Sequence, residues 1–231
     1  MHCDKLKIIK VIDGEKVSQS DFVIRETEVV IKIDGRMHKR LCCLAEHLEE
    51  LVLGYLFDEG IASPSDIDIT LEGNTISVSR KRILKGHKPA VIDFGLQVTD
   101  AQILSWAEEL NKSCPLHIKT GGTHIVGIAH GDIMFFVEDI SRHCAIDKAI
   151  GIALRNGFEM CDCVMVTSCR QTISAMKKAV RAGIPIVVTI AAPTTLAVTE
   201  AINYGVTLVG FVRGRQFNIY SHPHRIVTGS R

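Results

Sequence analysis

The sequence predicts an α/β protein in two parts: a smaller α+β unit with a linker over residues 1–98, and a larger α/β half over 99–231. Three observations carry that prediction. Residues 22–44 and 66–79 are built as strand pairs around Asp34-Gly35 and Gly73-Asn74, dipeptides that favour tight hairpin turns. Between them Leu48, Leu51, Val52, Tyr55 and Leu56 recur at helical spacing. Beyond residue 99, short apolar runs alternate with helical stretches, a pattern that implies parallel strands joined by right-handed crossovers.

Taken in order, the first strand is expected over 22–33, rich in Val and Ile, and returns over 37–44. The helix after it keeps Glu46, Glu49 and Glu50 off its apolar face and stops at Gly60, so it covers the hairpin. Strands at 66–71 and 75–79 complete the small unit. Residues 82–98 have weak periodicity and contain Gly86, Pro89 and Gly95, which reads as a linker or mobile loop. Thr99 then caps a helix whose face is Ile103, Leu104, Ala107 and Leu110. Apolar runs at 125–129 and 133–137, joined by His130-Gly131-Asp132, form a third hairpin, and a helix starts near Ser141. Strands at 164–167, 186–190 and 207–211 alternate with helices at 174–182 and 195–203, stopped by Gly183 and Gly205.

At 46% hydrophobic residues, the 231-residue chain can bury a full core. A net charge of +1, with basic residues scattered among 26 acids, gives no electrostatic basis for nucleic acid as a partner. The first ten residues have no apolar stretch behind them and no run approaches a membrane span, so a cytoplasmic protein is expected. In that reducing compartment the eight cysteines are free thiols, ligands or reactive groups. Cys42-Cys43 and Cys161-Asp162-Cys163 are close pairs, but no Cys-x-x-Cys occurs, and His222-Pro223-His224 is a weak metal candidate, so no metal site is assigned.

The densest polar stretch is 120–148. Its hairpin brings Thr120-Gly121-Gly122-Thr123-His124 back beside Glu138-Asp139-Ile140-Ser141-Arg142-His143, so Gly121, Gly122, His124, Glu138, Asp139, Arg142 and His143 are expected to converge on one place. The structural alternative is a glycine turn followed by a solvated helix start. Ligands on parallel sheets bind beyond the carboxyl ends of the strands. Three such ends carry Ser168-Cys169-Arg170-Gln171-Thr172, Ala191-Ala192-Pro193-Thr194-Thr195 and Arg213-Gly214-Arg215-Gln216. Arginines and hydroxyls beside helix starts suit a phosphate or pyrophosphate, so a nucleotide or phosphorylated cofactor is expected there. The alternatives are an ordinary cap at Thr194 and a hairpin turn at the two arginines. Cys169, after a strand and beside Arg170, is the best candidate for a nucleophilic or persulfide-bearing thiol.

Glu49-Glu50-Leu51-Val52-Leu53-Gly54-Tyr55-Leu56-Phe57-Asp58-Glu59-Gly60-Ile61, Thr120-Gly121-Gly122-Thr123-His124 and Glu138-Asp139-Ile140-Ser141-Arg142-His143-Cys144-Ala145-Ile146-Asp147-Lys148 together resemble the FdhD family of formate dehydrogenase accessory proteins. The likeness continues through Ala192-Pro193-Thr194-Thr195-Leu196-Ala197-Val198, Thr207-Leu208-Val209-Gly210-Phe211 and Asn218-Ile219-Tyr220. It implies a cytidine deaminase-like three-layer α/β/α domain behind the smaller unit, and a homodimer. Such proteins receive persulfide sulfur from a cysteine desulfurase and pass it to a molybdenum cofactor, Mo-bis(molybdopterin guanine dinucleotide), destined for formate dehydrogenase. The family's cofactor-binding stretch falls on Phe211-Val212-Arg213-Gly214-Arg215-Gln216, and GDP or another guanine nucleotide becomes an expected ligand. The zinc deaminase signature of His-x-Glu with Pro-Cys-x-x-Cys is missing, so neither zinc nor deamination is expected. The family's persulfide-bearing Cys-x-x-Cys is also missing, because residues 90–100 contain no cysteine. This leaves a second reading, a cofactor-binding or guanine-nucleotide-binding chaperone or regulator without sulfur transfer.

Overall fold

The computed structural model describes residues 2–82, 89–93 and 95–229. The chain opens with a hairpin of β1 (Cys3–Ile12) and β2 (Glu15–Ile24), turning on Asp13-Gly14. A second, β3 (Thr27–Ile33) and β4 (Arg36–Cys43), turns on Asp34-Gly35. Both turns hold positive φ at both residues, as two-residue hairpins require. The first hairpin is absent from the sequence expectation, and the strand expected over 22–33 is instead two strands, β2 and β3, interrupted at Arg25-Glu26. Helix α1 (Leu48–Asp58) then crosses to β5 (Ile67–Glu72) and β6 (Thr75–Arg80). Strands pair in the order β4-β3-β6-β5, with β3 and β6 parallel. Leu51, Val52 and Leu56 of α1 pack on Val29, Ile31, Ile76 and Val78 of that sheet.

The larger half starts with β7 (Val98–Thr99), α2 (Asp100–Lys112) and α3 (Pro115–Thr120). Thr99 caps α2 as expected, and Gln102 returns the contact in a capping box. There follow β8 (His124–His130), β9 (Ile133–Asp139), α4 (Arg142–Arg155), β10 (Cys163–Thr167) and α5 (Ile173–Ala182). The chain closes with β11 (Ile186–Thr189), α6 (Thr195–Tyr204), β12 (Thr207–Arg213), β13 (Gln216–Ile219) and β14 (Ile226–Val227). One six-stranded sheet has the order β13-β12-β11-β10-β8-β9, and its centre, β10-β11-β12, is parallel. Side chains on one face pack against α4, α5 and α6, while Val164, Val166, Ile186 and Val209 on the other pack against α2.

The region expected as a linker divides. Residues 83–88 and 94 lie outside the described residues, but Ile92 is buried, donates its N–H to Tyr204 O at 2.9 Å and accepts from Arg225 Nη2 at 3.1 Å. That stretch is pinned to α6 and the C-terminal segment, contrary to a free linker. Among the described residues no helix is long and apolar enough to cross a membrane.

The two halves meet along α1 and α4. A Cβ on Gly54 would lie 1.9 Å from the carbonyl oxygen of Asp147, and one on Gly151 would lie 1.9 Å from that of Glu50. Glycine at both crossing points lets the helices touch backbone to backbone. Buried charges flank the crossing. Lys148 Nζ sits 2.7 Å from Asp139 Oδ2 with neither side chain exposed, and donates to Leu44 O at 3.0 Å. Lys178 Nζ lies between Asp58 Oδ2 at 2.8 Å and Asp147 Oδ1 at 2.7 Å, joining α5 to α1 and α4. Removing one member of such a pair would leave an uncompensated buried charge, so these contacts favour one docking geometry.

Candidate functional site

The carboxyl ends of the three parallel strands are drawn together as the sequence predicts. Cys169 O accepts from Thr189 Oγ1 at 2.8 Å, Gln171 N donates to Ala192 O at 3.1 Å, Thr194 N donates to Gln171 O at 2.9 Å, and Phe211 N donates to Ala191 O at 3.1 Å. The loops after β10, β11 and β12 therefore form one rim. Strand β8 runs antiparallel to β10 with Val126 opposite Thr167, which places His124 near the end of β10. Burial first, then the charges of Arg142 and His117, lower the proton affinity of His124, with Asp139 opposing and Arg170 adding a smaller contribution, so these groups share one neighbourhood. Arg170 is exposed at the rim. Thr194 is the cap of α6, its hydroxyl accepting from Ala197 N at 3.3 Å, with Thr195 exposed beside it.

Residues 211–216 form a hairpin turn, of which 212–215 line a pocket while Phe211 and Gln216 do not. Phe211 is 37% exposed and has a positive φ of 55°, marking an irregularity in the β12-β13 register. The Arg213 guanidinium lies 5.8 Å from the centre of the Phe211 ring. Val212 is buried toward α2, and Gln216 pairs with Arg213 across the turn. Arg213, Gly214 and Arg215 face Ser105, Glu108 and Asn111 of α2 across a pocket of about 730 Å³. The sequence reading missed the α2 residues, which appear only as the outer face of an amphipathic helix.

The expected convergence of the 120–148 stretch is partial: His124 lies near Arg142 and Asp139, whereas Glu138 and His143 are engaged elsewhere. His124 and Ile125 do pair with Asp139 and Glu138. Because successive side chains point to opposite faces of a sheet, Glu138 and Asp139 part company. Glu138 accepts from Leu116 N at 3.0 Å, His117 N at 2.6 Å and Thr123 Oγ1 at 2.8 Å, securing α3. Asp139 turns the other way, accepting from Ser141 N at 2.8 Å and Leu44 N at 3.2 Å beside Lys148. Burial raises its proton affinity while Lys148 opposes the rise. Gly121 ends α3, and Gly122 backs onto Ile24 of β2. None of Gly121, Gly122, His124, Glu138, Asp139, Arg142 or His143 lines the pocket at Arg213 and Arg215. His143 instead bonds Ser174 at 3.0 Å and lines a different pocket, of about 450 Å³, at the seam of the two halves.

Cys169 does not meet the requirements of a reactive thiol. It has no exposed surface, and burial pushes its thiol up despite the nearby Arg142. Cys43, Cys114 and Cys163 are pushed up to about 12 and Cys144 to about 11, burial being the main cause in each. Cys42 is exposed and Cys161 partly so; the other six are buried. Of the terminal histidines, His222 bonds Ile202 O at 3.0 Å, and its ring meets that of His224 edge-on.

Comparison with known proteins accords with this architecture. The sulfur carrier protein FdhD of Methanothermobacter thermautotrophicus is 34% identical, covering 94% of this chain and 96% of its own length. That of Staphylococcus haemolyticus is 30% identical over 95% of each chain. A crystal structure assigned as a formate dehydrogenase accessory protein, from Desulfotalea psychrophila, superposes with a TM-score of 0.88 at 27% identity, covering 98% of this chain and 100% of that one. The sequence model of the FdhD/NarQ family matches residues 72–227, from the end of β5 through β14, and with these full-length likenesses the chain belongs to the FdhD/NarQ family.

Proposed function

We propose that this chain is an accessory protein for formate dehydrogenase maturation that binds Mo-bis(molybdopterin guanine dinucleotide) and supports its sulfuration and delivery. The pocket between α2 and the Arg213-Gly214-Arg215 turn carries the reading. Its residues fit a guanine dinucleotide on chemical grounds. Two exposed guanidinium groups suit phosphate oxygens, and Gly214, with open space where a side chain would be, lets backbone N–H groups approach them. Glu108, whose Oε1 is paired with Lys112, offers its second carboxylate oxygen as an acceptor for the N–H edge of guanine, while Ser105 and Asn111 add neutral hydrogen-bonding groups. When bound, the cofactor supplies the molybdenum and dithiolene chemistry; the residues here hold and orient its nucleotide end. The relatives' names, sulfur carrier protein and formate dehydrogenase accessory protein, support the same reading. A molybdoenzyme client and a cysteine desulfurase are the partners it calls for, with a homodimer as the working form.

Calorimetry with GDP tests it. Binding is expected for the intact chain, weakened at least about tenfold when Arg213 and Arg215 are both alanine, as loss of charged hydrogen bonds implies. No heat at millimolar GDP would overturn the assignment. A second reading, cofactor binding without sulfur transfer, is favoured by the absence of any Cys-x-x-Cys and by the burial of six of eight thiols.

A further inference from the structure

The pocket of about 450 Å³ at the seam is a groove with a strand along one side and a helix along the other. Strand β4 contributes Lys39, Arg40, Leu41 and Cys42, which are consecutive. Neighbouring side chains of a strand point to opposite faces, so a pocket bordered by all of them runs along the strand's edge. That edge is open: β4 ends the order β4-β3-β6-β5, and among the described residues no strand pairs with its outer side. The opposite wall is α5, through Ser174, Lys177, Lys178 and Arg181, which share one face at helical spacing. From the rise per residue of a strand and of a helix, both walls extend about 10 Å. Tyr55 and Asp58 of α1 line the same space.

The charges say what fits between the walls. Residues Arg36 to Arg40 are exposed throughout, and Lys39, 4.3 Å from the centre of the Tyr55 ring, and Lys177 make no ion pair among the described residues. Lysines that only keep a sheet edge from pairing need no counterpart on a neighbouring helix, whereas here α5 supplies one. Asp58, with its side chain 2% exposed, meets Lys178 and Arg181 through Oδ2, but its Oδ1 accepts no hydrogen bond among the described residues. A buried acceptor left without a donor is costly. An open strand edge, free ammonium groups and an orphan carboxylate oxygen are answered together by a polypeptide, which brings main-chain hydrogen-bonding groups, acidic side chains and hydroxyl or amide donors. A bare polyanion answers only the ammonium groups, and Asp58 repels it.

We propose that this groove takes an extended acidic segment of a partner protein, which adds to β4 as a further strand and lies between it and α5. Alternate side chains of such a strand point into the groove, placing a carboxylate at Lys39 and a hydroxyl or amide donor at Asp58, while Lys177 draws a second acidic group from the side of α5. The surface is independent of the pocket at Arg213 and Arg215, with which it shares no lining residue.

The full chain, titrated by calorimetry with the blocked peptide Ser-Glu-Val-Thr-Val-Glu-Ser, tests this, and hydrogen exchange locates the contact. Binding in the millimolar range or tighter is expected, with slowed exchange of β4 amides. It weakens at least about tenfold when Lys39 and Lys177 are both alanine, because charged hydrogen bonds are lost. Replacing both valines of the peptide by proline keeps its charge, removes main-chain donors and is expected to abolish binding. Replacing both glutamates by lysine is expected to abolish it too, a readout that needs no variant of the protein. No heat at millimolar peptide, undiminished binding of the proline or lysine peptide, or slowed exchange confined to other strands would each overturn the proposal. So would tripolyphosphate binding the groove more tightly than the peptide, the mark of a polyanion site. An unchanged urea midpoint in the Lys39→Ala, Lys177→Ala chain separates lost binding from lost folding, and GDP titration of the same samples reports on the cofactor site alone.

Discussion

At the seam, Lys148 and Asp139 meet at 2.7 Å with no exposed surface, whereas at the carboxyl edge of the large sheet Arg213 and Arg215 stand in solvent around a pocket of about 730 Å³. Both regions come from polar segments singled out in the sequence. In the first, nearly every charge has its partner inside the protein, and the charges serve docking of one half on the other. In the second, guanidinium groups face open space and are free to meet a ligand. Density of polar residues along a chain therefore does not distinguish architecture from site; whether the partner is internal does.

The comparison is broken most severely at the helix crossing. Gly54→Ala places a carbon against the Asp147 backbone, and we expect it to cost about 3 kcal/mol or more of unfolding free energy, because neither helix backbone can yield without opening the seam. An unchanged midpoint in urea would mean that α1 and α4 are not in backbone contact.

Acidity sharpens it further. Burial, more than any neighbouring charge, raises Asp147 from 3.8 to about 7, with Lys178 opposing the rise and Asp58 adding to it. The folded state then holds a proton that the unfolded chain releases near pH 4. Stability contributed by this group is greatest below about pH 4 and declines as pH rises to about 7, by on the order of 4 kcal/mol. Asp139, raised by burial, acts in the same direction. Asp147→Asn is expected to flatten the slope of unfolding free energy between pH 4 and pH 7, measured by denaturant titration at each pH. A slope that persists undiminished would assign the proton elsewhere.

The smallest effect on stability belongs to the edge. Replacing Arg213 and Arg215 together by alanine is expected to leave unfolding free energy within about 0.5 kcal/mol while GDP binding weakens. A large loss of stability would show that these arginines brace the β12-β13 hairpin rather than serve a ligand.

Much of the large half was legible in the sequence because its signals are local. Val164, Ile186 and Leu208 lie in short apolar runs, Gly183 and Gly205 end helices, and Thr99 and Thr194 cap them. The first hairpin was not legible: Leu6, Ile9, Val11 and Val17 are exposed, so its strands lack the clean alternation that burial of one face imposes. At the site, the arginine turn could be read from its position after a strand, but Ser105 and Asn111 could not, since nothing in a helix's outer face says what lies opposite. Glu138 and Asp139 misled for a related reason. Their partners, Leu116 N, His117 N and Lys148, lie across α3 and α4, and adjacent carboxylates look alike until the pleat sends them to opposite faces.

Arg225 bears on the order of events at the ribosome. It is buried, donating to Gly205 O at 2.7 Å and to Ile92 O across 133 residues of chain, next to a short parallel pairing of β14 with β7. A chain made from its N-terminus has Ile92 and Val98 long before Arg225 and Ile226 exist to receive them. The entry into the large half must wait, loosely held, until nearly all of that half has emerged, so the strap over α6 is among the last contacts to close during synthesis.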